Sequence, residues 1–573
     1  MCRTGERSRR FQPAASPTGG LRLATSPRSD WYAAASMLPP SVALRLHWGM
    51  HSPVYVHDAQ RTPSYRSCGL DVVTLLSEAA RPIVERYRSC IDCLLVSCQD
   101  PSSFNQVNHL AAAICDNLGL VGIEATRVEN ASNSIGVVTL ACKAAMCGSN
   151  VLVIGGELMN DPSVTADRRE DIISQVVPAK DREYGVTMPA AVALISSYFA
   201  GYHGISQERL RRVLEEIAVI AYNAASYNRF AQLRGEKFRK EQVRMRYRSE
   251  RNRPLCDPLR FFDLCPTTDG SGAILLSCSP VLEQRKAKVK ITGHALVNDY
   301  NRIIHRGRLE ALAASEIAAQ RAYAMAGIPV DYREDGTFYL PAFPPGFFAE
   351  IHDAFGPLYL LNLINLGMHG LAQAEDAILT GKTDPTSPHC TIPINPSGGL
   401  KDGHPVGGTG LIKMVETYWQ LVGEPNGIDL RKAPFPFEPR TAVVHSVGGP
   451  GSVNGVVVMD HVDNDPRPAF ALARVPSVTA AKRYFQQADF PKPGRFVAST
   501  RRHLYSTDPA SPPVEVGHVD IGMVELWEQG TAGPRKLAIP MDERKLTYGD
   551  GVRVWKSYRD GRYHFERDYG ERS

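Results

Sequence analysis

No apolar run in this 573-residue chain approaches the ~18 residues that span a bilayer, so no membrane-crossing helix is expected. An excess of charge of one sign is also missing. Sixty-five basic residues face 60 acidic ones, and a net charge of +5 on a chain this long gives no reason to invoke a nucleic-acid partner. Disulfide spacing is absent among the twelve cysteines, which suits a reducing compartment. Cys90 and Cys93 form a lone C-x-x-C with no second pair at zinc spacing, and the run CLLVSC reads as a buried strand, so no metal site is expected. What is present is 43% hydrophobic and 22% charged, the balance of a globular protein with core enough for two or three compact units.

Residues 1–49 differ from the rest. They hold seven arginines and no lysine, with Glu6 and Asp30 as the only acids. An Arg-rich, Ser-rich, acid-poor leader of this kind reads as disordered or as a mitochondrial transit segment. The alternative is an over-extended start, since Met50 stands one residue before a strand-like SPVYVHDAQRTP. The chain ends Glu-Arg-Ser rather than the peroxisomal Ser-Lys-Leu, and the alternative to a mitochondrial location is a cytoplasmic one, or a peroxisomal or glycosomal one without a C-terminal signal.

From Met50 onward, short apolar runs alternate with helical stretches, the pattern of an α/β protein. Val54–His57, Cys93–Val96 and Asn150–Gly156 read as buried strands, and Gln106–Leu118 and Ser134–Cys147 as helices. Residues 161–255 break the rhythm and read as long charged helices. Within them Arg229–Arg253 carries ten basic and three acidic residues, either a solvated face or an attractor for a phosphorylated ligand. Strand pattern returns at Asp269–Ser277, and a second α/β half runs from about Lys288 to the strand pair Thr441–Val444 and Gly455–Met459. DNDPRP, Asp463–Pro468, reads as a linker. The last hundred residues turn β-rich, with strands over Val514–Trp527 and Lys536–Pro540 and a hairpin signal at Asp560-Gly561. Short strands without long helices predict a small β-barrel of oligonucleotide/oligosaccharide-binding type. Its bases and aromatics suit single-stranded nucleic acid, but acids balance most of the bases, and no nucleic-acid partner is expected.

The densest chemical signal is Asn395–Gly410, NPSGGLKDGHPVGGTG. Glycine opens backbone conformations closed to other residues and permits close approach to the main chain. His404 is the only group in this loop that exchanges a proton near neutral pH.

Several stretches, in order, resemble the thiolase superfamily, most closely its sterol-carrier-protein-x and archaeal branch. They are DAQRTP, VENASNSIG (Val128–Gly136), GGELM at Gly155, NRFAQLR at Asn228, PLRFFDLCPTTDGSGA, EIHDAF at Glu350, the His404 loop, and HSVGGPG at His445. The resemblance covers roughly Met50 to Asp460. It implies a five-layered αβαβα fold of two similar halves, residues 50–287 and 288–462, with a loop domain inserted at about 161–265. A C-terminal β domain follows a linker over 463–573.

Such proteins cleave or form the carbon–carbon bond of a 3-ketoacyl-CoA. A cysteine at a helix N-terminus is the nucleophile, a Gly-His-Pro histidine its base, a second cysteine the acid/base at the α-carbon, and two oxyanion holes bind the thioester oxygens. Matched motif by motif, the nucleophile position falls on Ser132 and the second cysteine position on Ala354 of His352-Asp353-Ala354-Phe355. The alternative cysteine position is Ser446. Cys142 lies ten residues along the helix, about 15 Å away at 1.5 Å per residue, and Cys265 and Cys390 lie in loops. His404 keeps the base position, in a loop one residue shorter than the family's. His352 matches the first oxyanion hole, and the backbone N–H groups of Ser132 and Gly448 match the second. Asn395, Gly398, Gly399 and Gly403 are expected against the substrate.

Serine is a far weaker acid than cysteine and acts as a nucleophile only when a base takes its proton. Three readings follow. The chain is an acyltransferase using Ser132 and His404. It is a carbon–carbon lyase of retro-aldolase type, its β-rich tail fused in cis where relatives use a separate partner. Or it binds acyl-CoA thioesters with thiolysis weak or absent, the reading the two replaced cysteines favour. No tightly bound cofactor is expected, only a coenzyme A thioester as substrate or ligand. The tail also resembles the extra C-terminal domain of thiolase-like proteins first grouped in mycobacteria, and the chain is expected to be a monomer or a homodimer.

Overall fold

The computed structural model describes residues 53–334 and 336–472 and, beyond them, five strands. The Arg-rich leader lies outside the described residues. The first half runs β1 (Val54–Arg61), α1 (Val72–Tyr87), β2 (Cys93–Ser97), α2 (Leu110–Leu118), β3 (Glu124–Val128), α3 (Ile135–Met146) and β4 (Val151–Glu157). Asp71 caps α1 by accepting from the Thr74 N–H at 3.0 Å, satisfying one of the donors a helix start leaves open.

The excursion that follows holds α4 (Met188–His203), α5 (Gln207–Tyr227) and the short strand β5 (Pro254–Cys256). It corrects the expectation of long charged helices. The longer α5 is amphipathic, but α4, MPAAVALISSYFAGYH, has no acid and no Lys or Arg, and ten of its residues are buried. An apolar helix belongs inside, and α4 packs into the largest hydrophobic cluster among the described residues. The basic run after α5 is shared out over the surface: Arg244 and Arg248 pair with Glu215, Lys240 pairs with Asp384, and Arg239 lies over the Tyr227 ring.

Then come β6 (Gly270–Ser277), β7 (Val289–Asn298), α6 (Ala313–Ala326), β8 (Phe347–Glu350), α7 (Gly356–Asn365), α8 (Thr409–Val422), β9 (Thr441–Gly448) and β10 (Val453–His461). The strands form one mixed sheet in the order β8-β9-β10-β7-β1-β6-β4-β2-β3. Its two halves meet at a ladder of three residue pairs, Val54↔Ile291, Tyr55↔Lys290 and Val56↔Val289.

Alternate residues of the strands point to different clusters. Leu152 and Ile154 of β4 pack with α1 and α2, whereas Val151 and Val153 pack with α3 and α8. In the second half Val444 and Val457 join that same α3/α8 cluster, whereas Val443 and Val458 pack with α6 and α7. Helices therefore lie outside each half-sheet and between the two. Strands buried on both faces read as continuous apolar runs, and that is why these strands were legible in the sequence.

Around Asp463–Pro468 the chain is pinned rather than loose. Arg467 donates to the Ala326 carbonyl at 3.0 Å and pairs with Asp460 at 2.5 Å. Beyond it lie β11 (Lys492–Tyr505), β12 (Glu515–Leu526), β13 (Arg535–Met541), β14 (Gly551–Lys556) and β15 (Tyr563–Arg567), antiparallel in the order β13-β12-β11-β14-β15. β14 and β15 pair as the hairpin signal required, although Asp560 and Gly561 lie outside the described residues. Strand β11 also pairs with β5 through Arg502↔Cys256, so the C-terminal sheet is joined to the excursion.

Helix α6 lies so close to β7 that a Cβ on Gly293 would sit 2.1 Å from the Ala322 carbonyl oxygen. Gly293→Ala must push strand and helix apart. It should lower unfolding free energy by about 1–3 kcal/mol in urea denaturation, without loss of native helix content at zero denaturant.

Candidate functional site

The site is assembled where three loops meet at the ends of these elements. Ser132 lies just ahead of α3, in a turn where Ala131 adopts a left-handed φ of 52°. The Ser132 hydroxyl donates to the Val447 carbonyl of β9 at 2.5 Å, and the Ser446 hydroxyl donates to the Ser132 carbonyl at 3.1 Å. Gly448 backs onto the same turn, since a Cβ there would meet the Asn130 carbonyl oxygen at 2.7 Å.

His352 follows β8, and its carbonyl accepts from the Asn362 amide at 2.8 Å. His404 is held from two sides. Its N–H donates to the Thr268 hydroxyl at 3.0 Å, and its ring Nδ1 bonds the Thr409 hydroxyl at 2.8 Å, leaving Nε2 for the cavity.

Asp402, two residues before His404, is locked into a fully buried ion network. Arg61 at the end of β1 pairs with Asp402 and with Glu416 of α8, each at 2.6 Å. Lys413 of α8 pairs with Asp402 at 3.0 Å and also donates to the Ser397 hydroxyl and the Gly399 carbonyl. Asn228 donates to Glu416 at 3.1 Å. Burial works against the Asp402 charge, yet Arg61 and Lys413 hold its carboxyl below the ordinary range.

Ser132, His352, Ala354 and His404 converge on one cavity of about 160 Å³, together with Gln99, Cys265 and Thr267. Met159, Ile173, Met188, Leu264 and Phe355 make its walls apolar. The two imidazoles stand edge to face, ring centres 5.4 Å apart and planes 83° apart. Burial, with the Lys413 charge adding to it, pushes His404 down to about 3. Burial pushes His352 well below the usual imidazole range, helped by His404, His445 and Lys413. Both rings are thus neutral at neutral pH, and the buried Nδ1 of His352 bonds no protein atom. Gly449, rather than Gly448, lines the cavity.

The other loop residues lie elsewhere. The Asn395 side chain bonds both the N–H and the carbonyl of Ile351, at 2.7 and 3.2 Å, and so fixes the strand end that carries His352. A Cβ on Gly398 would strike the Ala225 backbone, on Gly399 the Asp353 carboxylate, and on Gly403 the Ser64 hydroxyl. Gly407 and Gly408 press against Gln99 and Gly156. None of these five glycines is among the residues lining the cavity. The glycine density of this loop serves close packing against its own protein, with His404 and Val406 delivered to the cavity. Sequence reasoning missed Arg61, Lys413, Glu416 and the placement of Cys265. Among the described residues no group of three or more His, Cys, Asp or Glu could hold a metal ion.

Removing one partner of the buried network leaves unpaired charge behind. Asp402→Ala should therefore cost about 3–5 kcal/mol in chemical denaturation, far more than an exposed ion pair is worth. The buried histidines make a distinct contribution to the pH response. His352, His404 and His445 are all lowered by burial, the last two to about 3. The unfolded chain binds these protons below about pH 6.5 and the folded chain does not, so their contribution is present above that pH and is lost as pH falls towards about 3. Glu157 and Glu350, raised by burial to about 7, and Asp263, raised to about 6, act in the opposite sense over the same range. The prediction is therefore a difference: relative to the parent, His404→Asn should remove about one proton from the pH 7 to pH 5 slope of melting temperature.

The family model described as "Thiolase C-terminal domain-like" matches residues 347–461. The acetyl-CoA acetyltransferase of Methanocaldococcus jannaschii is 30% identical over 349 residues, covering 58% of this chain and 79% of the relative. Among solved structures, the monomeric SCP2-thiolase like protein type 1 from Mycobacterium smegmatis matches 90% of this chain and 99% of its own, with a TM-score of 0.63 at 15% identity. The Ltp2-ChsH2(DUF35) aldolase matches 72% of this chain and 98% of its own, with a TM-score of 0.54 at 17% identity. These two share the fold. With the sequence relationship to the archaeal enzyme, the residues that converge here mark the chain as a member of the thiolase superfamily.

Proposed function

We propose that this chain binds a coenzyme A thioester in the His352–His404 cavity and polarises its carbonyl there, without passing through an acyl-enzyme. The observation that carries this reading is the pair of neutral imidazoles standing edge to face at 5.4 Å on an apolar cavity. A neutral ring can donate a hydrogen bond to a thioester oxygen, and in a water-poor site that donation is worth more than in solution. His352, whose buried Nδ1 has no protein partner, is the donor best placed to gain from such a ligand.

Nucleophilic transfer has less support. The family's two cysteine positions fall on Ser132 and Ala354. The Ser132 hydroxyl donates to the Val447 carbonyl rather than to an imidazole, and burial makes His404 a weak base. A second reading, carbon–carbon lyase, needs no nucleophile. It asks only for a base at a β-hydroxyl and a proton for the α-carbon; the cavity offers His404, a weak base for the first, and the Cys265 thiol for the second. The fold likeness to a protein whose printed name is aldolase favours it over acyl transfer. So does the C-terminal sheet joined through β11 and β5, read here as an oligonucleotide/oligosaccharide-binding-type barrel fused in cis.

Acetoacetyl-CoA at a hundred times its dissociation constant should stabilise the protein by about 2.7 kcal/mol, read as a rise in melting temperature, and His352→Ala should remove most of it. With added coenzyme A, the magnesium–enolate absorbance should hold steady. Its loss in the parent but not in His404→Ala would instead establish acyl transfer, and a melting temperature unmoved by any CoA thioester would overturn the reading.

A further inference from the structure

The cavity contains a thiol that the family comparison does not use. Ala354 has no proton to exchange, but the Cys265 N–H donates to the Ala354 carbonyl at 2.8 Å, and Leu264 and Phe355 form an antiparallel bridge beside it. Two residues on, Thr267 bridges to His404. The segment 264–267 thus runs from the Ala354 position to the His404 position, and Cys265 lines the cavity with Ser132, His352 and His404.

A second feature is independent of the thiol. Lys401 is among the largest fully buried side chains, and its ammonium bonds no protein atom. It lies over the Tyr222 ring, 5.1 Å from the centre, and forms no ion pair with Asp353 although the two interact electrostatically. Of the acidic groups that favour its charge, Cys265 acts most strongly, ahead of Asp353 and Asp263. Burial lowers the Lys401 pKa, and an anion forming near it favours its charged form in return.

We propose that Cys265 is the proton donor and acceptor at the α-carbon of a bound CoA thioester, with the Lys401 ammonium holding its thiolate. The inference rests on the CoA-thioester reading. When carbon–carbon cleavage leaves an enolate, the Cys265 S–H proton moves to the α-carbon, the enolate electron pair re-forms the thioester carbonyl, and the thiolate is left in the field of Lys401. In reverse, the thiolate removes an α-proton and the electron pair moves onto the thioester oxygen, held by the His352 N–H. Burial pushes the resting thiol up to about 12 against the pull of Lys401, so it waits protonated, as an acid should. A protonated thiol is not the nucleophile that the family's first cysteine provides.

The test is α-deuterium incorporation into butanoyl-CoA in D₂O between pD 7 and 10, followed by mass spectrometry against a protein-free control. The parent should exchange above the control. Cys265→Ala and Cys265→Ser should each lose about 10²–10⁴-fold, and Lys401→Met should move the profile to higher pD. All three should keep the melting-temperature rise given by acetoacetyl-CoA. Exchange in Cys265→Ala at the parent's rate, or no exchange by a parent that still binds, would overturn the role of Cys265 and leave the CoA reading standing. Absence of any thermal response to CoA thioesters would overturn that reading itself.

Discussion

The buried ion network of Arg61, Asp402, Lys413 and Glu416 is the constraint on which the site depends. It ties the end of β1, the helix α8 and the histidine loop into one unit, with every charge out of water. Such a cluster is poor evidence for stability, because desolvation offsets much of the attraction. Its effect is positional. Asp402 cannot move without unpairing two cations, so His404, two residues later, presents its ring to the cavity from a fixed backbone. The network shows how the loop delivers the histidine to the cavity.

The glycines serve the same end. They let a loop of sixteen residues lie directly on Ala225, Asp353, Gln99 and Gly156, where side chains would collide. Asn395 contributes by bracing Ile351, next to His352. Two imidazoles from separate loops therefore reach 5.4 Å of one another through backbone fit, and burial keeps both neutral. Neutral rings in an apolar chamber suit hydrogen-bond donation to an oxygen more than proton abstraction from a hydroxyl, and this balance decides between the chemistries the fold can host.

Much of this was legible in the residues. The strands buried on both faces announced themselves as apolar runs, and the motifs around Ser132, His352 and His404 placed all three on one cavity. Strand β7 was harder, because it carries its signal as alternation, with Lys290, Thr292, His294 and Leu296 on the less buried side. The apolar α4 was masked by charged neighbours in the same excursion. The network was unreadable in principle, since Arg61 meets partners 341 and 355 residues away, and no local pattern encodes such a meeting. The same holds for Cys265, whose relation to Ala354 arises only from the bridge between two loops.

A thioester carbonyl held by the His352 imidazole must show it in its bond order. The direct measurement is the infrared stretch of an acyl-CoA labelled with ¹³C at the thioester carbonyl, recorded free and bound. The account predicts a shift to lower frequency on binding that disappears in His352→Ala. A bound ligand whose carbonyl frequency equals that of the free thioester would contradict it.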